Sequence, residues 1–193
     1  MKITRPVSDQ PIPPHAKTVF QGKIFRVYQW EQKMFDGTTE TFEKIGRTDT
    51  VNVIPVTCDG RILLTKQEQP GLRAPFWGTP GGRMDDGEKP LVAARRELLE
   101  ETGYTSNDIT LWYALQPSGM IDWAVYTFIA RRSQKSQGTE LDNGERIEVH
   151  AFDFNEFMRK VMADDFRDTE ITCQILKLKE RDQLDDLRRL LFA

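Results

Sequence analysis

The sequence predicts a layered α/β (α+β) domain, and three patterns support this fold class. Runs rich in β-formers dominate the first half of the chain, such as IFRVYQW (24–30) and RILLTKQ (61–67). A glycine-rich turn then precedes a helix that begins at Pro90. The last segment, 169–191, repeats apolar residues at helical spacing. Early strands and later helices together indicate packed layers of both kinds.

The N-terminal region is predicted to be an arm followed by antiparallel strands. Residues 1–16 carry four prolines, which favours an extended segment with little secondary structure. Strands are expected from Val19 onward, and Asp36-Gly37 between two of them is a two-residue hairpin signal. We assign residues 1–48 to this arm and its strands, and residues 49–193 to the main domain.

The main domain is predicted to open with a central hairpin, because Asp59-Gly60 separates TVNVIPVTC (50–58) from the strand that follows. Residues 70–88 are rich in glycine and proline and are expected to form a loop. The remaining predicted elements are a helix from Pro90 to Gly103, strands at 109–115, 123–130 and 146–152, and helices at 155–165 and 169–191.

Composition excludes several classes of protein. The 193 residues carry a net charge of −3, so the whole surface is not that of a nucleic-acid-binding protein. The two cysteines are far apart and no CxxC occurs, which argues against a disulfide scaffold and a zinc site and favours the cytoplasm. The apolar runs are too short to span a membrane.

The stretch GGRMDDGEKPLVAARRELLEETGY (81–104) concentrates negative charge on one helix. Pro90 suits the first helical position and Gly103 the residue after the last one. Helical geometry places Glu97, Glu100 and Glu101 in a stripe beside the apolar face. Such a stripe is either a solvated acidic face or a cation site.

Two features favour the cation. Carboxylates beside a buried face repel one another strongly, by about 4 kcal/mol for a pair at ~4 Å, and a hard divalent ion such as Mg²⁺ removes that cost. The preceding Pro80-Gly81-Gly82 turn lets the backbone approach a ligand closely. These residues alone favour a metal–phosphate site over a solvated acidic face.

The same stretch resembles the Nudix box, in which a glycine, a glutamate and the run R-E-U-x-E-E-x-G-U recur at fixed spacing, with U a bulky apolar residue. Every spacing is met, by Gly82, Glu88, Arg96, Glu97, Leu98, Glu100, Glu101, Gly103 and Tyr104. The resemblance implies a Nudix-type α/β/α sandwich with a mixed sheet, plus the N-terminal antiparallel strands, and a hydrolase that uses Mg²⁺ or possibly Mn²⁺.

The resemblance also implies roles for the box residues. Glu97, Glu100, Glu101 and the carbonyl of Gly81 would be metal ligands. Arg96 would orient the glutamates, and Glu88 would brace the loop against the helix.

Outside the box, the chain is similar to the ADP-ribose and ADP-sugar pyrophosphatase group. In that group the N-terminal strands pair across a homodimer. An acid from the loop before a late strand approaches the metal, and Glu145 matches it best. Asp122, which follows Pro117, lies where the group often has Glu. For both acids an ordinary solvated position stays open.

Two positions depart from that group. Gln69 occurs where an arginine usually grips phosphate, and Gly78 where glutamate is frequent. Arg73 or Arg83 could supply the missing contact to phosphate. Gly82, beside Arg83, is a further candidate for substrate binding. Trp30 and Trp77 are candidates for stacking on a base, although aromatic residues of strands more often belong to a core or a dimer contact.

The leading functional hypothesis is a Mg²⁺-dependent pyrophosphatase acting on ADP-ribose or another nucleoside diphosphate sugar. It would release a nucleoside monophosphate and a sugar phosphate. The alternatives are a (d)NTP pyrophosphohydrolase and a non-catalytic domain that binds a nucleotide. The absence of GxxxxGK[ST] excludes a P-loop NTPase.

Overall fold

A computed structural model describes residues 3–141, 143–144 and 146–193. The strands are β1 Lys17–Gln21, β2 Phe25–Lys33, β3 Thr39–Arg47, β4 Thr50–Thr57, β5 Ile62–Glu68, β6 Phe76–Gly78, β7 Gly81–Arg83, β8 Tyr104–Thr105, β9 Asp108–Leu115, β10 Ile121–Asp122, β11 Val125–Lys135 and β12 Arg146–Phe152. The helices are α1 Pro90–Thr102, α2 Phe154–Val161, α3 Thr169–Glu180 and α4 Leu184–Phe192.

The N-terminal strands form a sheet of their own, in the order β1-β2-β3-β10. The first three strands are antiparallel, as predicted, and β10 from the main domain adds to β3 in parallel. Residues 3–16 before them contain no helix or strand. Arg5 nevertheless fastens this arm to the main domain through Asp49, at 2.8 Å, and Asp122, at 3.0 Å.

The second sheet is mixed and lies between two layers of helices. Its order is β12-β5-β4-β11-β8, with β4 and β11 parallel and β6, β7 and β9 attached at its sides. Side chains of β4 alternate between faces, so Val51 and Val53 pack with α1 whereas Ile54 and Val56 pack with α2, α3 and α4. The predicted α/β/α sandwich with a mixed sheet is confirmed.

The C-terminal helical segment differs from the prediction. Residues 169–191 form two helices, α3 and α4, because Asp182 has a positive φ of 54° that a continuous helix does not allow. Both helices contribute to one core, α3 through Ile171 and Ile175 and α4 through Leu187 and Leu191. For this reason the spacing of apolar residues continues across the break between the helices. The preceding helix, α2, ends at Val161, earlier than the predicted residue 165.

The loops also contain corrections. Both predicted hairpins close with three residues, not two, since Met34 bonds to Thr38 and Thr57 bonds to Arg61. The glycine of each turn has a positive φ. The segment 70–88, predicted to be a loop, contributes the short strands β6 and β7. Within the described residues, no helix is both long and apolar enough to cross a membrane.

Candidate active site

An open cleft of about 1040 Å³ lies where the N-terminal sheet meets β7 and α1. The acidic part of its lining comes mainly from α1 and is called the acidic wall; the basic part, called the basic wall, comes from the ends of the N-terminal strands and from β7. The charged residues of the lining are Lys23, Arg26, Arg47, Arg83, Asp85, Asp86, Arg96, Glu97, Glu100, Glu101, Asp122 and Glu140. The cleft therefore offers separate places for cations and for anions.

Helix α1 delivers the acidic wall. It begins at Pro90 and ends at Gly103, whose left-handed conformation lets its N–H bond to the Leu99 carbonyl at 2.7 Å. Glu97 and Glu101 are 8% and 4% exposed, and Glu100 is more open. The predicted stripe beside the apolar face is thus observed, with two of its carboxylates buried.

Arg96 neutralises much of this charge. Its Nη1 donates to Glu97 at 2.9 Å and to Glu100 at 3.0 Å, and its Nη2 donates to Glu88 at 3.0 Å. The hydrogen bonds to Glu88 and the charge of Glu97 raise the pKa of Arg96 above its ordinary value. The bond from Arg96 in turn lowers the pKa of Glu88. Arg96 thus ties the loop before α1 to the helix face.

Gly81 and Gly82, predicted to form a turn, lie in strand β7 and pack directly on these carboxylates. Gly81 N–H donates to Glu101 Oε2 at 3.0 Å. A Cβ on Gly81 would lie 2.2 Å from the Val51 carbonyl oxygen, and one on Gly82 would lie 2.6 Å from Glu97 Oε1. The first distance is sterically forbidden, so this close approach requires glycine at position 81, whereas a side chain at position 82 would displace the Glu97 carboxylate.

A buried bridge fixes the residue that leads into the turn. Thr79 donates to Asp168 Oδ2 through its N–H at 2.6 Å and through its hydroxyl at 2.8 Å. Burial raises the pKa of Asp168 to about 6, although the bonds from Thr79 act the other way. The start of α3 is thereby joined to the segment between β6 and β7.

Arg47, at the end of β3, dominates the basic wall. Its guanidinium carbon lies 4.6 Å from the centre of the Trp123 ring. Burial first, and the charge of Arg83 second, lower the pKa of Arg47. Gln69 lines the same cleft and is neutral.

The structure brings most of the predicted site residues together. The cleft lining includes Gly81, Gly82, Arg83, Arg96, Glu97, Glu100, Glu101 and Asp122. Asp122 is bound to Arg5 and receives a bond from Gln116 at 3.3 Å. Glu88 contacts the site through Arg96 and is not part of the lining.

Other predicted residues lie elsewhere. Arg73 is exposed in the loop between β5 and β6 and does not line the cleft. Trp30 is buried in the N-terminal sheet beside Phe42. Trp77 belongs to the core against α2, α3 and α4. Glu145 lies outside the described residues.

Three residues of the site were missed by sequence reasoning. Arg47 and Glu140 line the cleft, and Asp168 holds Thr79. The Glu140 N–H donates to the Glu100 carbonyl at 2.8 Å, which places the loop after β11 beside α1. These contacts join segments that are distant in the sequence, so no local sequence pattern predicts them.

The oxygen-rich wall fits a divalent cation by its chemistry. Glu97, Glu100, Glu101 and Gly81 all border the cleft, and Mg²⁺ and Mn²⁺ take carboxylate and carbonyl oxygens. In the part of the chain that the structure describes, no group of three or more acidic, histidine or cysteine side chains is arranged to hold a metal ion. Arg96 and the Gly81 N–H occupy positions around the carboxylates, so metal binding would require them to reorient.

Comparison with known proteins agrees with this site. Residues 46–173 match the model of the NUDIX domain. An ADP-ribose pyrophosphatase of Bacillus subtilis (strain 168) is 32% identical over 166 residues, which are 84% of this chain and 90% of the relative. A methanol dehydrogenase activator of Bacillus methanolicus is 27% identical over 170 residues, which are 86% of this chain and 91% of the relative.

A solved structure has the same fold. The crystal structure of an ADP compounds hydrolase superposes with a TM-score of 0.69 over 95% of this chain and 99% of the other, at 19% sequence identity. The family model spans more than half of the chain, including all of the residues of the α1 stripe and its glycine turn. The chain therefore belongs to the Nudix hydrolase family.

Proposed function

We propose that this Nudix hydrolase cleaves the pyrophosphate bond of ADP-ribose or a related nucleoside diphosphate sugar. Water attacks one phosphorus, the bridging P–O bond breaks, and a nucleoside monophosphate and a sugar phosphate are released. The observation that carries this proposal is the cleft itself, which is lined both by the carboxylates of α1 and by basic side chains. The pyrophosphatase from Bacillus subtilis and the ADP compounds hydrolase direct the choice of substrate.

In this proposal Glu97, Glu100, Glu101 and the Gly81 carbonyl hold Mg²⁺, or alternatively Mn²⁺. A divalent ion held by these residues would neutralise phosphate charge and lower the pKa of the attacking water. Arg96 positions Glu97 and Glu100 in this proposal, because its Nη1 donates to both of them. Glu88 holds Arg96 in place.

Substrate contacts are proposed for Gly82, Arg83 and Asp122, which line the cleft. Gly82 allows the substrate close to the backbone, and Arg83 supplies positive charge. The proposed acid from the loop before β12 is Glu145. Arg73, Trp30 and Trp77 would need a change of conformation or a partner chain to reach the cleft.

We also propose that the protein is a homodimer of the cytoplasm, with residues 1–48 providing the dimer contact. Phe20, Phe25 and Ile45 are exposed on one face of the N-terminal sheet, because Phe20 and Ile45 both pair with Val27 and Phe25 lies two residues before it; we call these three residues the apolar strip. Val19 and Ile24 are exposed nearby. Ile24 and Phe25 also border the cleft, so a second copy on this strip would complete its wall. Cys58 and Cys173 are both exposed and carry free thiols, as a reducing compartment favours.

The test is a substrate panel with a metal-site variant. The protein is incubated with ADP-ribose, ADP- and GDP-sugars and dNTPs, with Mg²⁺ or Mn²⁺, and the products are identified by chromatography. We expect AMP and ribose 5-phosphate from ADP-ribose. Glu101→Gln should reduce turnover by more than about 100-fold, since loss of a residue that only supports a metal ligand already costs 10 to 100-fold. Glu148→Gln, on exposed β12, is the matched control.

Three results would contradict the proposal. Release of inorganic pyrophosphate from dNTPs in preference to cleavage of ADP-ribose would support the triphosphate alternative. Turnover of no compound would support a nucleotide-binding domain without activity. Full activity of Glu101→Gln would remove the proposed metal site.

A further inference from the structure

The orientation of Arg47 is fixed before any ligand arrives. Its guanidinium lies on the Trp123 ring, and the Trp123 indole N–H donates to the Thr50 hydroxyl at 3.1 Å. An arginine stacked on an anchored aromatic ring loses little conformational entropy when it binds an anion. Trp123 therefore holds the Arg47 guanidinium ready at the wall of the cleft.

Arg47 lacks the partner that a half-buried arginine normally has. Its Nε is buried without a hydrogen-bond partner, and among the described residues Arg47 forms no ion pair. The less exposed arginines elsewhere are paired, as Arg131 is with Asp108 at 2.8 Å and Arg96 is with three glutamates. A half-buried guanidinium with a buried, unpartnered Nε is poorly stabilised on its own, so an anion from outside the chain would stabilise it.

Arg83 adds a second positive charge to the same wall. It is exposed on β7, directly after Gly81 and Gly82, and lines the cleft with Arg47. The cleft lining thus contains two arginines without an ion pair among the described residues, and a multiply charged anion could bind to both of them.

The two arginines line the same cleft as the carboxylates of α1, and Gln69, which also lines it, is neutral. An anion held by both arginines would therefore lie in the cleft that contains Glu97 and Glu101. We propose that Arg47 and Arg83 together bind the pyrophosphate of the substrate, in place of an arginine at position 69, with Trp123 positioning Arg47. This inference rests on the proposed function, because it assumes that the cleft receives a diphosphate.

Binding of ADP, measured by titration calorimetry with Mg²⁺, tests this directly. Arg47→Gln should weaken ADP binding by about tenfold or more, the loss expected for a charge-assisted hydrogen bond. Arg83→Gln should also weaken it, and the double variant should weaken it further. Arg61→Gln, which removes an arginine paired with Glu156 away from the cleft, should bind ADP as the wild type does.

A second readout separates binding from folding. Arg83 is exposed and its side chain forms no ion pair among the described residues, so Arg83→Gln will fold even if Arg47→Gln does not. In turnover of ADP-ribose, both variants should raise KM by a larger factor than they lower kcat. Adenosine, which has no phosphate, should bind all folded variants equally.

The outcomes distinguish this inference from the proposed function. Equal ADP affinity in the wild type and both arginine variants would overturn the pyrophosphate assignment even if ADP-ribose is hydrolysed. ADP that binds the wild type no more tightly than adenosine would overturn it as well. If ADP binding is lost in the variants while the wild type hydrolyses no compound, the anion site stands and the hydrolase proposal fails.

Discussion

Arg96 explains how Glu97 and Glu100 share one helix face, and how Glu88 is held beside them. Two carboxylates near a buried surface repel each other, and a guanidinium with donors to Glu97, Glu100 and Glu88 offsets that repulsion. Because the same guanidinium also bonds to the Arg83 carbonyl, at 3.1 Å, it joins β7 to α1. One residue thus stabilises both the charge and the shape of the acidic wall.

Replacement of Glu88 should reveal this network in the pH dependence of stability. The folded-state pKa of Glu88 lies below its ordinary value of 4.5, because Arg96 binds its charged form. Its contribution is fully present above about pH 4.5 and is lost as the pH falls through the folded pKa. We expect Glu88→Gln to lower the free energy of unfolding by about 1–3 kcal/mol at pH 7 and by less at pH 3 to 4.

The free energy of unfolding is measured by urea denaturation at several pH values. The proteins compared are the wild type, Glu88→Gln and Glu148→Gln. The exposed Glu148 serves as the control, and its replacement should change little at any pH. A difference for Glu88→Gln that is the same at pH 3 and pH 7 would contradict the assigned pairing.

Asp168 should show the opposite pH dependence. Burial raises its folded pKa to about 6, above its ordinary value of 3.8. The folded state therefore holds this proton more tightly, and stability falls as the pH rises from about 4 to about 6. We expect the free energy of unfolding to fall by about 1–2 kcal/mol over this range. This is less than the full pKa shift of Asp168 would give, because the residue is partly exposed.

The isosteric variant Asp168→Asn should lack this loss, since an amide oxygen can still accept from Thr79 and carries no charge. Asp164→Asn, at an exposed position in the turn before α3, is the control. A parallel decline in stability from pH 4 to 6 in wild type and Asp168→Asn would exclude Asp168 as its source.

At the scale of elements, α1 was fully predictable and the basic wall was not. Pro90, Gly103 and the spacing of the glutamates are local signals, since capping and helical period act within a few residues. Arg47 and Arg83 meet because β3 and β7 border one cleft, which a single sequence does not specify. The break between α3 and α4 was also missed, because the apolar period of both helices serves one core.

The end of α1 gives a sharp prediction about packing. Gly103 has a φ of 72°, and a Cβ there would lie 2.3 Å from the Gln137 carbonyl oxygen. Gly103→Ala should therefore cost the strain of a left-handed residue, about 1–2 kcal/mol, and an additional amount for the displaced loop. The N–H groups of Ser136 and Gln137 bond to the Gly103 carbonyl, so activity should fall too.

Gly87→Ala is the matched control, because φ is 78° there and a Cβ meets nothing within 4 Å. We expect Gly87→Ala to lower the free energy of unfolding only by the backbone strain of a left-handed alanine, as measured by thermal or urea unfolding. Equal losses in the two variants would show that the contact with Gln137 contributes nothing.

At the scale of the whole molecule, the cleft lies between two sheets that are linked in several places. Strand β10 extends the N-terminal sheet from the main domain, and Arg5 binds Asp49 and Asp122. The N-terminal strands therefore supply part of the candidate active site as well as an exposed surface. The sequence predicted these strands from their β-formers, but their position beside α1 comes from long-range pairing alone.

The proposed homodimer makes a prediction for this surface. Phe20 is 57% exposed on β1, within the apolar strip, and a charge there would be buried against a second copy. We expect the wild type to sediment as a dimer at micromolar concentration and Phe20→Glu to sediment as a monomer. Phe35→Glu is the control, because Phe35 is fully exposed at the tip of the β2–β3 hairpin, outside the strip.

Since Ile24 and Phe25 connect the strip to the cleft, dissociation should also raise KM for ADP-ribose. A wild type that sediments as a monomer across the micromolar range would refute the dimer and leave the cleft complete within one chain.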